Sequence, residues 1–323
     1  MRYLAHRFLQ SCLVLAGVSV LTFLFVGLAP GNFLDEMRLN PQISSESLAR
    51  LRSQYEIDQP LPARYFRWAR SVAKGEWGYS FSYNTPVAPL IMARARNTLL
   101  LTGSATLLTW LIALPLGIIS AESRRGWIDR ITSFVTNILL ATPDLLLALS
   151  LLLLAVHTRW LPAGGMESLR AGHLAGWAKF KDTASHFVAP VIVLVLGSLP
   201  TLFRHTRAAM TEALESPYIR SARAHGLRRW RIILRHVLPV AANPLISFFG
   251  LYVGWLLSAS LLVEVVMSWP GLGPLLLEAI LGRDIYVVVG AVMFSSIFLL
   301  LGAMLSDALL YAVDPRIRTK KVA

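Results

Sequence analysis

Long apolar stretches without charged residues are the feature that most limits what this chain can fold into. A helix needs about 20 apolar residues to cross roughly 30 Å of hydrocarbon, and inside lipid it also satisfies its own backbone hydrogen bonds. Six stretches meet this requirement: Leu9–Ala29, Asn97–Ala121, Ile131–Val156 (interrupted at Pro143-Asp144), Thr183–Phe203, Val240–Val266 and Ile285–Val313. The sequence therefore predicts an all-α polytopic membrane protein with six transmembrane helices, of which Thr183–Phe203 would be the shortest.

The composition excludes the main soluble alternatives. Of the 323 residues, 55% are hydrophobic and 15% are charged, whereas soluble domains carry about 25% charged residues. Abundant apolar side chains also exclude a disordered chain. The single cysteine, Cys12, excludes a disulfide scaffold and a cysteine-based zinc cluster. The first apolar stretch resembles a secretory signal, but its length and Pro30 at the place of cleavage favour an uncleaved anchor.

The distribution of basic residues predicts the orientation. With six spans both termini lie on one side, and this side would hold most basic residues of the short loops, including eight arginines between Arg204 and Arg235. Lys and Arg accumulate on the cytoplasmic side of membrane proteins, so both termini are expected in the cytoplasm. The net charge of +13 is explained by this topology and by contact with anionic membrane lipid. No nucleic-acid partner is expected.

The segment between the first two predicted spans shows two amphipathic patterns. In the first pattern, which Ser44 or Ser45 can cap, the apolar positions are Leu48, Leu51 and Tyr55. In the second, they are Leu61, Tyr65, Trp68 and Val72. The sequence predicts a small helical segment outside the membrane, and it does not decide between a cap over the helix bundle and a docking surface for a partner.

The segment Arg204–Val237 contains a short helix with clear start and stop signals. Ser216-Pro217 begins it, with Ser as the N-cap and Pro at the first helical position, and Gly226 ends it. The enclosed helix is too short to be stable alone. A second helix follows, with an apolar stripe of Trp230, Ile233, Leu234 and Val237 opposite Arg231 and Arg235. A short helix held out of the membrane by two spans is suited to contact a soluble partner.

This segment resembles the EAA loop of bacterial ABC importer permeases, which reads E-A-A, three residues, G, nine residues, I-x-L-P. Ala222, Gly226, Leu238 and Pro239 match that pattern. Arg220, Ser221 and His236 depart from it, as in the dipeptide/oligopeptide/nickel permease subfamily, where Tyr-x-x-x-Ala-Arg-Ala-x-Gly-Leu is usual. Further stretches similar to that subfamily, of the first permease subunit type, are Leu28–Gly31, Ile57–Leu61, Gly78–Ser82, Glu264–Gly273 and Asp314–Arg316.

The resemblance implies a type I ABC importer permease fold and a pore subunit that moves peptides or related small solutes across the inner membrane by alternating access. Residues 1–93 would hold the first span and a periplasmic segment, and 94–323 the permease core with the EAA-type loop at about 204–237. The implied partners are a homologous second permease, two ABC ATPases and a periplasmic or lipid-anchored solute-binding protein. The implied coupling helix, seated in an ATPase, comprises Pro217, Tyr218, Ile219, Arg220, Ser221, Ala222, Arg223, Ala224, His225, Gly226 and Leu227.

The chain itself is not expected to be an enzyme. The phosphate loop of ATPases needs a Gly-Lys pair, and none of the five lysines, at positions 74, 179, 181, 320 and 321, follows a glycine. ATP and Mg would therefore bind to the partner subunits, and no cofactor is expected in this chain. The histidines His157, His173 and His186 lack a metal-ligand spacing, and no G-x-S-x-G or H-E-x-x-H motif occurs. No catalytic or metal site is predicted.

Acidic residues within the spans are candidates for the translocation path, because charge inside a membrane usually faces a cavity or a partner. Asp144 lies deepest; it would lie on the substrate path and meet a peptide amino terminus, and the simpler alternative is an interhelical hydrogen bond or a contact with the second permease. Glu264 and Asp307 lie near helix ends, where solvation at the membrane interface is the simpler explanation. The stretch Trp269, Pro270 and Gly271 would form part of an outer gate. The alternative function is an ion-coupled secondary transporter using Asp144 or Glu264, although the inverted repeats expected there are not seen.

Overall fold

The computed structural model describes residues 2–28 and 59–313. The helices in chain order are α1 (Arg2–Leu28), α2 (Leu61–Val72), α3 (Val87–Glu122), α4 (Trp127–Ala141), α5 (Asp144–Thr158), α6 (Gly176–Glu215), α7 (Pro217–Ala224), α8 (Arg229–Ile232), α9 (Leu238–Val266), α10 (Leu272–Leu281) and α11 (Ile285–Val313). An antiparallel hairpin pairs β1 (Tyr79–Ser80) with β2 (Thr85–Pro86). A 3₁₀ turn, Ala171–His173, precedes α6, and a π-helical segment, Ile233–Val237, joins α8 to α9.

Five helices of the described residues are long and apolar enough to cross a membrane: His6–Leu28, Val87–Glu122, Gly176–Glu215, Arg229–Val266 and Ile285–Val313. A sixth crossing is present if α4 and α5 count as one span, but these two helices are bent by 97° at their junction. The all-α polytopic fold is thereby confirmed.

The break between α4 and α5 has a local cause in Pro143. A residue that precedes proline is pushed out of the helical region, and Thr142 accordingly has φ −94° and ψ 118°. Pro143 is extended as well, with ψ 142°. The sequence predicted an interruption at Pro143-Asp144 within one span, and the structure shows two separate helices there.

The prediction that the fourth span is the shortest is wrong. Helix α6 has 40 residues and is longer than any other helix in the described part of the chain. The apolar stretch Thr183–Phe203 is only its middle, because the helix continues on both sides through sequence that carries charge. Helix α3 likewise begins at Val87 rather than at Asn97. Apolar length therefore marks the part of a helix that suits lipid, and it misses the polar ends.

The described residues divide into two compact units. The first unit includes residues 98–269 and 299–313. Its largest apolar cluster joins buried side chains of α6 and α9, among them Leu194 and Leu256, with Trp269. The sequence division into 1–93 and 94–323 stays a prediction, because the compact units are each formed from separated parts of the chain.

The second unit includes residues 5–28, 59–97 and 270–298. Phe23 of α1, Trp68 of α2 and Val289 of α11 form its buried apolar cluster. The Tyr65 hydroxyl lies 2.9 Å from the Ser19 hydroxyl and forms a hydrogen bond with it. The second predicted amphipathic helix is confirmed, since α2 packs its apolar face into this cluster. The first pattern, around Ser44 and Tyr55, lies outside the described residues, as do Ala29 and Asp314–Arg316.

Buried Asp284 connects the hairpin to the start of α11 within the second unit. Its Oδ2 accepts hydrogen bonds from the Ser80 hydroxyl at 2.7 Å, the Phe81 N–H at 2.9 Å and the Ser82 N–H at 3.2 Å. Nearby, the Tyr83 hydroxyl donates to the Glu278 carboxylate. Burial, together with this hydrogen bond, raises the pKa of Tyr83 to about 12. Hydrogen bonds to α10 and to the residue before α11 therefore fix the hairpin.

Candidate functional site

Helix α7 begins as the sequence predicts, but for a different reason. Pro217 occupies the first helical position, where its fixed φ suits a helix and its missing N–H has no intrahelical partner to lose. Ser216 precedes it in an extended conformation and makes no side-chain cap. Its hydroxyl instead donates to the carbonyl of Ala213 at 2.6 Å. The expectation that the Ser216 side chain caps the start of α7 is therefore wrong. This side chain instead bonds to a carbonyl group in the last turn of α6.

The end of α7 depends on the glycine that the sequence singled out. Gly226 has φ +72°, a left-handed conformation that is readily available only to glycine. Its N–H bonds to the Arg223 carbonyl at 3.0 Å, and the Leu227 N–H bonds to the Ala222 carbonyl at 3.4 Å. These two bonds form a Schellman motif, which satisfies the last carbonyl groups of the helix.

One buried side chain attaches α7 to the rest of the first unit. Ile219 has no exposed surface and packs in a cluster with Met210 and Ala213 of α6 and with Ile232 and Val237. The other side chains of α7 are mostly exposed, including Tyr218, Arg220 and Arg223. The helix thus has a small apolar anchor, formed by buried Ile219 and partly buried Ala222, and presents a basic, solvent-facing surface.

The segment after Gly226 differs from the predicted stripe. Ile232 and Val237 are buried, whereas Trp230 is 56% exposed and Leu234 is 57% exposed. The five-residue π-helical segment explains part of the difference, because its wider turn shifts which positions share a face. The predicted stripe of Trp230, Ile233, Leu234 and Val237 is therefore split between a buried and an exposed side.

An ionic network near α7 was not predicted from the sequence. Asp129 of α4 accepts two hydrogen bonds from Arg207 of α6, at 2.7 Å from Nε and 2.9 Å from Nη2. It also accepts hydrogen bonds from the Ser120 hydroxyl and from the Arg125 N–H at 3.0 Å. These bonds join the ends of α3 and α4 to α6. The only signal for this network in the sequence is Asp129 itself, a carboxylate that stands just before the apolar stretch beginning at Ile131.

Two further ion pairs lie at the ends of the helices that flank α7. The Arg229 guanidinium, at the start of α8, lies 2.9 Å from the carboxylate of Glu122, the last residue of α3. Arg124 pairs with Glu215, the last residue of α6. At least one partner in each pair is more than half exposed, so each pair contributes little to stability alone. With Asp129 and Arg207 they fix the helix ends between which α7 is held.

Asp144 begins α5 and faces a cavity of about 420 Å³. The backbone of Gly197 in α6 approaches Asp144 so closely that an added Cβ would collide with the Asp144 carboxylate. Aromatic side chains from α9 line the same cavity: Phe248, Tyr252 and Trp255. In the described part of the chain, no group donates a hydrogen bond to the Asp144 carboxylate. The interhelical hydrogen bond considered from the sequence is thus not formed within these residues.

A second cavity, of about 760 Å³, has a polar and basic lining. Its polar side chains are Ser133, Thr136, Asn137, Thr201, Arg204, His205 and Arg207. Thr201 also lines the cavity of Asp144. The ring of His205, which lines the larger cavity, stacks on the ring of Phe248, which lines the cavity of Asp144, with centroids 4.1 Å apart. The two cavities therefore adjoin each other at this pair of rings. Neither cavity is lined by Glu264.

The other path residues are buried in ways that the sequence did not predict. Glu264 has no exposed surface and Asp307 is 8% exposed, so the expectation that both are solvated near helix ends is wrong. Trp269 is 1% exposed, and its ring centroid lies 5.4 Å from that of Phe187. In the second unit, the Pro270 carbonyl accepts a hydrogen bond from Asn97 at 2.8 Å, and Gly271 precedes α10. A gate at Trp269, Pro270 and Gly271 stays a prediction.

Gly226→Ala should lower the free energy of unfolding by about 1 kcal/mol. No atom lies within 4 Å of an added Cβ at this position, so the effect would come only from the left-handed backbone. Thermal unfolding of the purified protein in detergent measures it. Gly172→Ala is the matched control, because the same space is free there and φ is not positive. Equal transition temperatures for the two variants would contradict the prediction.

Comparisons with known proteins agree over the length of the chain. The family described as binding-protein-dependent transport system inner membrane component matches residues 113–319, and its N-terminal companion matches residues 1–102. The oligopeptide transport system permease protein AppB of Bacillus subtilis is 34% identical over 98% of each chain. The glutathione transport system permease protein GsiC of Salmonella paratyphi A is 33% identical over 99% of this chain and 100% of its own length.

A solved structure has the same fold. The inward-facing MetNI methionine ABC transporter matches with a TM-score of 0.56 and 21% identity, over 70% of this chain and 96% of the matched chain. Neither this fold nor the relatives favour an ion-coupled secondary transporter that uses Asp144 or Glu264. The family match, the two full-length relatives and the shared fold together show that this chain belongs to the binding-protein-dependent inner membrane components, the permeases of ABC importers.

Proposed function

We propose that this chain is one of two pore subunits of an importer for short peptides, driven by ATPases that are separate polypeptides. One observation carries the proposal: α7 is a short helix between two long helices, anchored by buried Ile219 and partly buried Ala222, with Arg220 and Arg223 exposed. A helix with so small an apolar anchor and an exposed basic surface can move with a soluble partner seated on it. The ATPases would bind ATP and Mg, and residues Pro217–Leu227 would be their contact.

The relatives support peptides as the solute class. Their names specify oligopeptides for AppB and glutathione, itself a tripeptide, for GsiC. The remaining partners would be a homologous second permease and a solute-binding protein outside the membrane, periplasmic or lipid-anchored. The basic residues around α7 support a cytoplasmic location for that helix and for both termini, with the chain in the inner membrane, because positive charge accumulates on that side.

Combined charge reversal, Arg220→Glu with Arg223→Glu, should reduce binding to the ATPase subunits by about ten-fold or more, since about 1.4 kcal/mol of lost contact energy suffices. Co-purification with the partner ATPases measures binding, and ATP-dependent peptide uptake in proteoliposomes measures its consequence. Arg170→Glu is the control, because Arg170 is also an exposed arginine but lies in the predicted outer loop. Unchanged co-purification and uptake of the double variant would refute the proposal.

A further inference from the structure

The cavity of Asp144 combines one carboxylate with aromatic walls. Asp144 is the only carboxylate in its lining, and Phe248, Tyr252 and Trp255 are its aromatic residues. A carboxylate inside a membrane protein is expensive, at about 2.5–3.5 kcal/mol on insertion scales, unless it meets a partner or a cavity. Within the described residues, no side chain or backbone group forms a hydrogen bond or an ion pair with the Asp144 carboxylate. A carboxylate beside aromatic faces is suited to bind an organic cation, through charge and through cation–π attraction.

The adjoining cavity offers the opposite charge. Arg207 is occupied by its two hydrogen bonds to Asp129. Arg204 is exposed, and no carboxylate within the described residues pairs with it. The Arg204 guanidinium is therefore the cation available to a solute, and a guanidinium binds carboxylates in a bidentate manner.

The separation along α6 of the positions beside the two cavities follows from helix geometry. Gly197, which contacts Asp144, and Arg204 both lie on α6 and line the two cavities, with Thr201 between them in both linings. Seven residues of helix rise by about 10 Å. An extended peptide advances about 3.3–3.6 Å per residue, so a peptide of about three residues matches this separation.

We propose that these two cavities form one binding site for a short zwitterionic peptide of about two to four residues. Its ammonium group binds at Asp144 between the aromatic side chains, and its carboxylate binds at Arg204. The inference rests on the proposed function, because it assigns the peptide a place on its path through the pore. The two cavities, of about 420 and 760 Å³, are each of the size that small ligands occupy, about 300–1,000 Å³.

Cysteine reactivity tests the charge preference of the first cavity. Cys12 is the single native cysteine, so Cys12→Ser provides a cysteine-free background in the full chain. Thr142→Cys then places a thiol in the Asp144 cavity. We expect trimethylammonium-ethyl methanethiosulfonate to react faster than the sulfonatoethyl reagent, and Asp144→Asn to lower that rate ratio by about five-fold or more. Trialanine should protect the thiol, and N-acetyl-trialanine should not.

The second cavity supplies the matched control. Ser133→Cys places a thiol in the cavity of Arg204, where the anionic reagent should be favoured and where Arg204→Gln, not Asp144→Asn, should remove the preference. A rate ratio at Thr142→Cys that does not change with Asp144→Asn, or equal protection by both peptides, would overturn the inference. Gly197→Ala, which forces the Asp144 carboxylate to move, should reduce the ratio while the carboxylate is retained.

Uptake separates this inference from the proposed function. In the complex with its partner subunits, Asp144→Asn and Arg204→Gln should each lower uptake of labelled trialanine about ten-fold, while the ATPases still co-purify. Unchanged uptake in both variants would overturn the inference and leave the proposed function standing. If the paired reversal at Arg220 and Arg223 had no effect on co-purification or uptake, the proposed function would fail instead.

Discussion

Asp284→Ala is expected to lower the free energy of unfolding by about 3–5 kcal/mol, because a buried carboxylate is removed from four donors at once, the fourth being the Val287 N–H. The Ser80 hydroxyl and the N–H groups of Phe81 and Ser82 all bond to one oxygen of Asp284, which has no exposed surface. Without it, the buried Ser80 hydroxyl and the partly buried N–H groups lose their acceptor, and each group left unsatisfied away from water costs about 1–3 kcal/mol. The hairpin would then separate from the start of α11.

Amide hydrogen exchange in detergent locates this effect, and thermal unfolding gives its size. In Asp284→Ala, the amides of Phe81 and Ser82 should lose their protection, while amides in the middle of α6 should keep theirs. Ser80→Ala is the graded control: it removes one of the donors to Asp284, together with the acceptor of the Tyr83 N–H, and should lower the free energy of unfolding by about 1–2 kcal/mol. Asp284→Asn keeps an acceptor oxygen and should fall between the two. Retained protection at Phe81 and Ser82 in Asp284→Ala would show that the carboxylate does not hold the hairpin.

Asp129→Ala is expected to lower the free energy of unfolding by about 2–3 kcal/mol, because it leaves the Arg207 guanidinium without its carboxylate partner. Breaking a fully buried pair costs about 3–5 kcal/mol. The Asp129 side chain is 7% exposed, but that of Arg207 is 36% exposed, so solvent takes over part of the lost interaction. The Ser120 hydroxyl and the Arg125 N–H lose their acceptor as well. The ends of α3, α4 and α6 should become less stable together.

A double-mutant cycle isolates the pair. Thermal unfolding of Asp129→Ala, Arg207→Gln and the double variant gives a coupling energy, which we expect to be about 1–2 kcal/mol for two groups in one network. The comparison pair is Glu122 and Arg229, whose Arg229 side chain is 73% exposed. A median surface pair contributes about 0–1 kcal/mol. Additive effects of Asp129→Ala and Arg207→Gln would contradict a stabilising pair.

The parts of the fold that could be predicted are those encoded by neighbouring residues. The bounds of Ile285–Val313 agree with α11 because a long stretch that is apolar apart from Asp307 and a few small polar residues is flanked by charged residues on both sides. The start and end of α7 were predicted because Pro217 and Gly226 act through their own backbone conformations. The full extent of α6 was not predicted, because the helix continues on both sides of the apolar stretch through segments that contain charged residues.

The most tightly bonded polar sites could not be predicted, because their partners are far away in the sequence. Asp129 and Arg207 are separated by 78 positions, and Ser80 and Asp284 by 204. The sequence indicated that Asp144 lies inside the membrane. That its neighbours are Gly197 and three aromatic residues of another helix is visible only once α5, α6 and α9 are packed.

By itself, the sequence determined that this chain is a helical membrane protein, where most of its spans lie, and that a short helix is held between two of them. Those properties follow from hydrophobicity, proline and glycine, which act within a few residues. Tertiary structure alone decided the angle between α4 and α5, the burial of Glu264, and which charges are paired. These depend on contacts between distant segments, and neither hydropathy nor local backbone preference encodes such contacts.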